Sequence, residues 1–436
     1  MSKITRSRII EVLNSKKIDN TFCIRGWIYR TRSSGNIIFM NIRDVSGIIQ
    51  ATIKKGNLPD TEFEDANKAL IESSIELIGN LKEDKRAPGG FELQVNNLNI
   101  INFAEPFPIV KDQSAEFLLD QRHLWLRSQK ITSILKIRST VVGAIHKFFR
   151  ERDFFEFDAP VLQPNQCEGG STLFEVKYYE NKTYLSQSWQ LYAEAGIFSL
   201  EKIYNVGPTF RAEKSKTSRH LSEFWMAEME AAWMNLNDVI EVGKDEIKFI
   251  INQVLKRNEN ELNILGRDVN KLKKILDLEF PTITYTKALD ILNKKANLNI
   301  KWGKDLRTLE ENKLADYFNA PVVVTHYPVE IMAFYKPRDR DNQNTALCFD
   351  MIAPEGYGEI IGGSQRSLDI EDMTERLEKM GENVENYKWY FDLRKYGSVP
   401  HSGYGLGVER VVAWICGIDN IKDSIAFPRT LLRFRP

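Results

Sequence analysis

The apolar pattern of the chain changes after about a hundred residues, and this change divides the chain into two parts that must fold differently. Residues 20–55 hold three β-rich runs, TFCIRGWIYRTR, NIIFMNIRD and GIIQATIKK, with the turn signals SSGN and DVSG between them. The runs SIELIGNLKE and FELQVNNLNII follow. Five short strands in a stretch of this length predict a small closed β-barrel of the OB type.

A stretch with two prolines, EPFPIV, ends the strand-rich part and predicts a domain over 1–108, followed by a hinge over 109–130. From residue 131 the apolar residues recur at helical spacing, as in ITSILKIRSTVVGAIHKFF. Separate strands such as APVVVTHYP and EIIGGSQRS come later. Helices mixed with strands that lack a βαβ rhythm predict an α+β domain over 131–436, with an antiparallel sheet flanked by helices. Residues from about 258 to 320 are polar and rich in helix-forming patterns, so they are predicted to form a peripheral helical segment.

Composition argues against several classes of protein. The four cysteines are far apart and form no CxxC pair, so neither a zinc site nor a disulfide framework is indicated, and we expect a cytoplasmic protein. The N-terminus lacks a signal-peptide core, and no apolar run approaches the roughly eighteen residues of a membrane span, so no membrane association is expected. Residues 1–55 hold eleven Lys or Arg against three Asp or Glu. This local excess indicates a polyanion-binding module or a basic surface balanced elsewhere.

The run GPTFRAEKSKTSRHLSEFWMAEMEAAW predicts two strands joined by a basic tip. Side chains two residues apart lie on one face of a strand, so Arg211 and Glu213 point the same way, and so do Phe224 and Glu228. One interpretation is a surface hairpin with a solvated tip. The other is a platform that holds a phosphate with arginine, an amino-bearing base edge with glutamate and a base face with phenylalanine.

The run GYGLGVER predicts a strand that leads directly into a helix. Gly403, Gly405 and Gly407 alternate, so one whole face of that strand carries no side chain and a flat ligand can lie against the backbone. Arg410 follows, and its guanidinium can stack on a base or bind a phosphate. The run is neither a P-loop nor a Rossmann fingerprint. A glycine-rich structural turn is the alternative.

The helix and strand that end at Pro160, the FRAE…RHLSEF hairpin and GxGxGxER occur in this order along the chain. Together they resemble the three signature motifs of class II aminoacyl-tRNA synthetases, and the barrel resembles the anticodon-binding domain of the aspartate/asparagine/lysine subgroup. FRAEKSKTSRHLSEFW, GEIIGGSQR and HSGYGLGVERVVAW are most similar to asparagine-specific members. The resemblance implies a homodimeric ligase that activates asparagine with ATP and Mg²⁺ and transfers it to the terminal adenosine of asparagine tRNA.

The resemblance also implies roles around ATP. Arg211 would bind the α-phosphate and stabilise the pentacoordinate centre, so Arg211 and Arg410 are the expected catalytic residues. Glu213 would accept a hydrogen bond from the adenine amino group, and adenine would lie between Phe224 and Arg410. The basic tip would reach the outer phosphates or the tRNA end. The residues expected at ATP are Arg211, Glu213, Arg219, His220, Phe224, Glu359, Gly405, Gly407 and Arg410.

Further roles concern the metal ion and the amino acid. Asp350 and Glu359 would hold Mg²⁺, which prefers hard oxygen ligands. Glu168 and Gln190 would meet the α-ammonium group of asparagine. Glu228 would accept from the side-chain NH₂ of asparagine, and Arg366 would donate to its side-chain oxygen. The alternative for Glu228 is a structural ion pair.

In the barrel, the resemblance implies that Arg32, Phe39 and Gln50 read the anticodon. An aromatic side chain on the outer face of the barrel stacks on an unpaired base, and a glutamine both donates and accepts at a base edge. Without the resemblance, Phe39 would be assigned to the barrel core. Pro160 cannot donate to a strand ladder, so it belongs at an edge, and the resemblance implies that this edge is the dimer interface.

Three other functions fit parts of the sequence. An aspartyl-tRNA synthetase, including one that also charges asparagine tRNA, is the first. In similar aspartyl enzymes the loop QSPQxxK carries a lysine, whereas QSWQLYA here ends at Ala193, and this difference favours asparagine. A tRNA-independent asparagine synthetase is the second, although such relatives lack the barrel. A non-catalytic nucleic-acid-binding protein is the third, and intact Arg211, Glu359 and Arg410 argue against it.

Overall fold

The computed structural model of the chain describes residues 5–167, 172–214 and 219–436. They form two compact units, one ending at Leu118 and the other beginning at Leu119. Two short helices, α3 (Ala115–Asp120) and α4 (Arg122–Trp125), fall where the sequence predicts a hinge. In the described part of the chain, none of the helices combines the length and the apolar character that spanning a membrane requires.

The N-terminal unit is a closed five-stranded barrel, as the sequence predicts, and its strand order is β1-β2-β3-β5-β4. Only β3 and β5 pair in parallel. Its elements are α1 (Ile9–Ser15), β1 (Thr21–Ser34), β2 (Ile37–Arg43), β3 (Ile48–Lys54), α2 (Asp60–Lys68), β4 (Ser74–Glu83) and β5 (Phe91–Asn102).

Alternation of side chains along the strands closes this barrel around an apolar core. On β2, Ile38, Met40 and Ile42 are buried, and the residues between them lie on the outer face. The predicted DVSG turn is fixed by Asp44, whose Oδ1 accepts from the backbone N–H groups of Ser46 at 2.7 Å and Gly47 at 3.0 Å. The core face and the outer face of the barrel are therefore set by a period of two.

The second unit is built on an eight-stranded sheet with the order β12-β13-β14-β15-β16-β11-β10-β6. All pairs are antiparallel except those at the two edges, β12–β13 and β10–β6, which confirms the predicted α+β class. The strands of this sheet are β6 (Phe155–Glu156), β10 (Lys202–Phe210), β11 (Glu223–Ala232), β12 (Thr282–Thr284), β13 (Val322–Thr325), β14 (Cys348–Ala353), β15 (Gly358–Gln365) and β16 (His401–Gly407). A small second sheet holds β7 (Leu162–Gln163), β8 (Glu175–Tyr178) and β9 (Asn181–Leu185).

Helices cover one face of the large sheet. Ser128 caps α5 (Gln129–Arg150) and Asn235 caps α7 (Leu236–Arg257), because their side-chain oxygens accept from backbone N–H groups of the first turn. Apolar residues of α5, α7 and α14 pack on Ala227, Met229 and Leu406 of the sheet. The remaining helices are α5 (Gln129–Arg150), α6 (Gln190–Leu200), α7 (Leu236–Arg257), α8 (Glu259–Ile264), α9 (Val269–Asp277), α10 (Tyr285–Lys295), α11 (Thr308–Phe318), α12 (Ile370–Lys379), α13 (Lys388–Lys395) and α14 (Val408–Cys416).

Residues 258–320 hold four helices and one strand, and they make two different sets of contacts. Leu262 of α8 and Leu272 of α9 are fully buried in the main core. Helices α10 and α11 form a separate apolar cluster with β13, and β12 extends the sheet by one parallel strand. This segment therefore adds both to the core and to one edge of the sheet.

Arg122 ties the beginning of the second unit to its end. Its side chain is 1% exposed, and its guanidinium donates to the backbone carbonyl oxygens of Ala426 at 2.8 Å and Ile425 at 2.7 Å. Further contacts reach the carbonyl of Lys422 at 3.3 Å and the carboxylate of Asp423 at 3.4 Å. Burial lowers the pKa of Arg122, and the charge of Asp423 opposes this effect.

Candidate active site

One face of the large sheet packs on helices, and the opposite face has glycine residues at its centre. Because β11 alternates, Glu228 and Glu230 face away from the core that holds Met229. A Cβ atom on Gly403 would lie 2.2 Å from Glu230 Oε2, and one on Gly405 would lie 2.1 Å from Cε of Met226, so neither position accepts a side chain without displacement. The alternating glycines thus form a low floor on which the side chains of Glu230 and Met226 lie directly against the backbone.

Two adjoining cavities stand on this floor, with volumes of about 780 Å³ and 330 Å³. Arg211, Met226, Asp305, Glu359 and Gly405 line both of them. The structure brings together, around the smaller cavity, every residue that the sequence predicts at ATP: Arg211, Glu213, Arg219, His220, Phe224, Glu359, Gly405, Gly407 and Arg410.

Arg211 follows the end of β10 and faces the first residues of β11. Its backbone N–H donates to the carbonyl of Ser222 at 3.0 Å, and its guanidinium carbon lies 5.5 Å from the ring centre of Phe224. Nε of Arg211 is buried and has no hydrogen-bond partner among the described residues. A buried cationic donor without a partner is costly, so this atom is suited to an anionic ligand.

The hairpin tip places His220 beside Glu213, with 3.7 Å between Nε2 and the Glu213 carboxylate. Burial lowers the pKa of His220, while the charge of Glu213 opposes the shift. Arg410, on the first turn of α14, donates from Nη1 to the Glu359 carbonyl oxygen at 2.6 Å and lies 3.5 Å from the Glu359 carboxylate. The guanidinium groups of Arg211, Arg219 and Arg410 therefore line the smaller cavity together with the carboxylates of Glu213 and Glu359.

Helix α11 contributes to this side of the site, which the sequence did not reveal. Arg219 donates to Oδ1 of Asn312 at 3.2 Å and to the carbonyl oxygen of Gly356, and it lies 4.0 Å from the carboxylate of Glu311. Burial raises the pKa of Glu311 to about 7, and the negative charge of Glu359 adds to the rise. No local motif around residue 311 signals this contact, because it forms only when β15 packs against α11.

Asp350 and Glu359, predicted to hold a metal ion, lie on the neighbouring strands β14 and β15. A Cβ atom on Gly362 would lie 2.6 Å from a Glu359 carboxylate oxygen and 3.6 Å from one of Asp350, so both carboxylates crowd one glycine. Burial raises the pKa of Asp350 well above its usual range, and the charge of Glu359 contributes as well. Two repelling carboxylates with hard oxygen donors fit a divalent cation. No group of three or more metal-binding side chains occurs among the described residues.

Glu228 lines the larger cavity and is held on both of its oxygens. Oε1 accepts from the hydroxyl of Ser188 at 2.6 Å, and Oε2 accepts from the backbone N–H of Trp189 at 3.0 Å. Both donors belong to the QSWQ loop before α6. These contacts turn the Glu228 carboxylate towards the cavity at a fixed position.

Arg366 also lines the larger cavity, but most of its guanidinium is used by the protein. Nε and Nη2 donate to the Glu230 carboxylate at 3.0 and 2.8 Å, and Nη1 donates to Ser364 at 2.7 Å. Burial alone would lower the pKa of Arg366, but the charge of Glu230 raises it. The sequence motifs did not indicate a role for Glu230, although its spacing of two from Glu228 predicts that both side chains lie on the same strand face.

The other residues that the sequence singles out for amino-acid binding or for the dimer interface lie in different environments. Gln190 lines the larger cavity, and its Nε2 donates to Glu194 at 2.9 Å. Glu168 lies outside the described residues. Ala193 packs in an apolar cluster with Trp189 and Ile197, so a lysine at this position would place its stem among apolar side chains. Pro160 is exposed close to the edge strand β6.

The barrel places its three predicted residues on the outer face. Arg32 and Phe39 are cross-strand partners, and the guanidinium carbon lies 4.6 Å from the ring centre. Phe39 is half-buried and alternates with core residues, which rules out the core assignment. Gln50 is buried and donates to Glu92 at 3.1 Å, and Thr52 donates to the same carboxylate at 2.5 Å. Glu92, on β5, lies in no motif that the sequence offered for base recognition.

Comparison with known proteins places the chain in a family. Residues 114–431 match the tRNA synthetases class II (D, K and N), and residues 22–101 match an OB-fold nucleic acid binding domain. The chain belongs to the class II tRNA synthetases. Both parts of the resemblance inferred from the sequence motifs are thereby confirmed.

Several relatives that match almost the whole of this class II synthetase are asparagine–tRNA ligases. The asparagine–tRNA ligase of Thermoplasma acidophilum is 45% identical and covers 98% of this chain and 99% of its own length. That of Thermus thermophilus is 44% identical, with coverages of 97% and 98%. The crystal structure of asparaginyl-tRNA synthetase from Pyrococcus horikoshii complexed with asparaginyl-adenylate is 42% identical, covers both chains completely and superposes with a TM-score of 0.95.

Proposed function

We propose that the chain is an asparagine–tRNA ligase. It activates asparagine with ATP to form asparaginyl-adenylate and pyrophosphate, and it then transfers asparagine to the 3′-terminal adenosine of the asparagine tRNA. The observation that carries the proposal is the pair of cavities that meet at Arg211 and Glu359 on one glycine floor. One cavity has the groups for a nucleotide and the other has those for a small polar amino acid. The relatives from Thermoplasma acidophilum and Thermus thermophilus, which match almost the whole chain, are asparagine–tRNA ligases.

Adenylate formation in this site depends on positioning and charge. The α-carboxylate of asparagine attacks the α-phosphorus, a phosphorus–oxygen bond to the leaving pyrophosphate breaks, and no protein nucleophile is needed. Arg211, at the junction of the cavities, stabilises the charge on the pentacoordinate phosphorus, and this role is supported by its Nε, which has no hydrogen-bond partner within residues 5–167, 172–214 and 219–436. Adenine lies between Phe224 and Arg410, and Glu213 accepts from its amino group.

The outer phosphates and Mg²⁺ belong to the same region of the proposed site. Arg219 and His220 reach the outer phosphates or the tRNA end from the hairpin tip. Asp350 and Glu359 would hold Mg²⁺, and their crowding around Gly362 supports this assignment. When bound, the ion supplies positive charge that offsets the negative charge of the phosphates. Glu359 lines both cavities and Asp350 lines the larger one, so hard oxygen donors are available close to the place where the cavities adjoin.

Asparagine occupies the larger cavity in this proposal. Glu228 accepts from the side-chain NH₂, because a carboxylate has acceptor capacity beyond its bonds to Ser188 and Trp189. Arg366 donates to the side-chain oxygen through a remaining N–H, since its terminal nitrogens each carry two. Gln190 and Glu168 meet the α-ammonium group. A fixed negative charge at Glu228 repels the side chain of aspartate.

The barrel binds the anticodon of the tRNA in this proposal. Phe39, on the outer face, stacks on an unpaired base beside Arg32, and Gln50 reads a base edge. The observed Gln50–Glu92 hydrogen bond orients the glutamine amide, so that its oxygen is the group left to accept. The proposal also includes a homodimer with Pro160 at the interface, supported by the exposure of Pro160 and of Phe155 on the β6 edge. A cytoplasmic location is supported by four free cysteines.

ATP–pyrophosphate exchange against all twenty amino acids, followed by charging of asparagine tRNA, tests the function. We expect exchange with asparagine and tRNA charging with the same amino acid. Equal exchange with aspartate would favour the aspartyl alternative, and exchange without tRNA charging would favour the tRNA-independent synthetase. Absence of exchange with every amino acid would favour a nucleic-acid-binding protein without catalysis.

A further inference from the structure

Glu194 lies beneath the amino-acid cavity, on α6, one turn after Gln190, and its side chain is not exposed at all. It is the common acceptor of a buried polar cluster. Its carboxylate accepts from Gln190 Nε2 at 2.9 Å, from Tyr390 Oη at 2.8 Å and from His401 Nε2 at 3.0 Å. Arg394 forms an ion pair with it, and Nε of Arg366 lies 3.9 Å away.

These contacts keep Glu194 ionised. Burial by itself would raise the pKa of Glu194, but the charge of Arg394, the hydrogen bond from His401 and the charges of His401 and Arg366 together hold it well below its usual range. An ionised carboxylate has no proton to donate, so every neighbour that meets it must present a donor. The hydrogen bonds of the cluster therefore have only one possible direction, from the neighbouring side chains to Glu194.

The direction of the hydrogen bond to Glu194 fixes the orientation of the Gln190 amide. Its NH₂ group must point at Glu194, which leaves the carbonyl oxygen on the opposite side of the amide carbon. Gln190 lines the larger cavity, and its oxygen receives no hydrogen bond from the described residues. An acceptor that faces the cavity matches an ammonium group and repels a second acceptor.

We propose that Glu194 is a positioning residue that fixes the Gln190 carbonyl oxygen towards the α-ammonium group of the amino-acid substrate. This inference rests on the proposed function, because it assumes that an amino acid occupies the larger cavity. Glu194 itself has no surface in the cavity and acts through Gln190. Without its charge, the amide of Gln190 is free to turn its NH₂ group towards the ammonium group.

The test uses Glu194→Gln in the full-length chain. A glutamine offers one acceptor oxygen where the cluster needs a carboxylate, so the orientation of Gln190 is no longer enforced. In pyrophosphate exchange we expect the KM for asparagine to rise roughly tenfold or more, the size of one lost hydrogen bond to a charged group, while the KM for ATP stays unchanged. Succinamate, which is asparagine without its amino group, should inhibit the variant and the unmodified protein with similar inhibition constants.

A double-variant cycle with Gln190→Leu decides whether Glu194 acts through Gln190. If it does, the double variant is no worse than Gln190→Leu alone. Additive effects, or equal increases in the KM for asparagine and in the inhibition constant of succinamate, would overturn the proposal. Glu246→Gln is the matched control, because Glu246 is equally buried, accepts from Tyr404 at 2.6 Å and does not line either cavity.

An effect of Glu194→Gln on the stability of the fold must be distinguished from an effect on the orientation of Gln190. If Glu194→Gln melts early, Glu194→Asp replaces it, since aspartate keeps the charge opposite Arg394 but withdraws the acceptor from Gln190. The same selective rise in the KM for asparagine is expected, and an unchanged KM in a folded Glu194→Asp would contradict the proposal. Failure of the unmodified protein to activate asparagine would instead contradict the proposed function.

Discussion

The two cavities on the glycine floor hold their charged groups in different ways. In the larger one, Glu230 and Arg366 are 1% and 4% exposed and bond to each other, and Glu228 is fixed by two donors. In the smaller one, Nε of Arg211 has no partner among the described residues, and the side chain of Arg410 is 32% exposed. We infer that the amino-acid side is preorganised before binding, whereas the nucleotide side completes its interactions with the phosphates.

Removing a cation from the nucleotide side should have the largest effect. Arg211→Ala and Arg410→Ala should each lower the rate of adenylate formation by a factor on the order of a thousand, because each arginine meets charge that is strongest in the transition state. Pyrophosphate exchange measures the loss, and circular dichroism should show an unchanged fold. Near-normal exchange in either variant would remove the basis for assigning the smaller cavity to ATP.

The amino-acid side should be sensitive to a single carboxylate. The unmodified protein should prefer asparagine over aspartate by a factor on the order of a thousand or more, because unpaired buried polar groups reject a ligand strongly. Glu228→Ala should lose most asparagine activation, since it removes the acceptor and also leaves Ser188 and Trp189 without theirs. Comparable exchange with the two amino acids in the unmodified protein would show that this cavity does not discriminate.

The barrel should respond independently of both cavities. Phe39→Ala should lower the efficiency of tRNA charging about tenfold, since base stacking contributes ~1–3 kcal/mol, and leave tRNA-free exchange unchanged. Ile38→Ala is the control for stability, because Ile38 is 2% exposed in the barrel core. The melting temperature should fall for Ile38→Ala and stay the same for Phe39→Ala. A lower melting temperature for Phe39→Ala than for Ile38→Ala would contradict the placement of Phe39 on the outer face.

The smallest effect on activity is expected at Glu246, a buried residue of α7 that lines neither cavity. Burial raises the pKa of Glu246 to about 8, so the folded protein retains a proton that the unfolded chain releases near the ordinary glutamate value. The folded state therefore binds more protons between these two values, and Glu246 makes stability fall as pH rises from about 5 to 8. Glu246→Gln should flatten this part of the melting-temperature profile without changing exchange. A profile identical to that of the unmodified protein would contradict the raised pKa.

The period of two along the strands predicted the barrel and the antiparallel sheet, whereas the residues around the smaller cavity were predicted from the resemblance of their motifs to those of class II synthetases. Neither predicted the contacts of Arg219 with Asn312 and Gly356, because α11 is distant in sequence from the hairpin. The resemblance also placed Arg366 against the substrate without its partner Glu230. Which of two neighbouring carboxylates an arginine pairs with depends on side-chain packing, and alternation along a strand does not specify it.

Arg122 links the order of synthesis to the order of folding. The barrel contains all of its strands by Asn102 and can close while the rest of the chain is still being made. The second unit cannot, because the carbonyl groups that satisfy its buried guanidinium come from residues 422–426. Until the ribosome has delivered residues 422–426, the guanidinium of Arg122 must stay hydrated, so burial of Arg122 and the final folding step of this unit come only after those residues have been made.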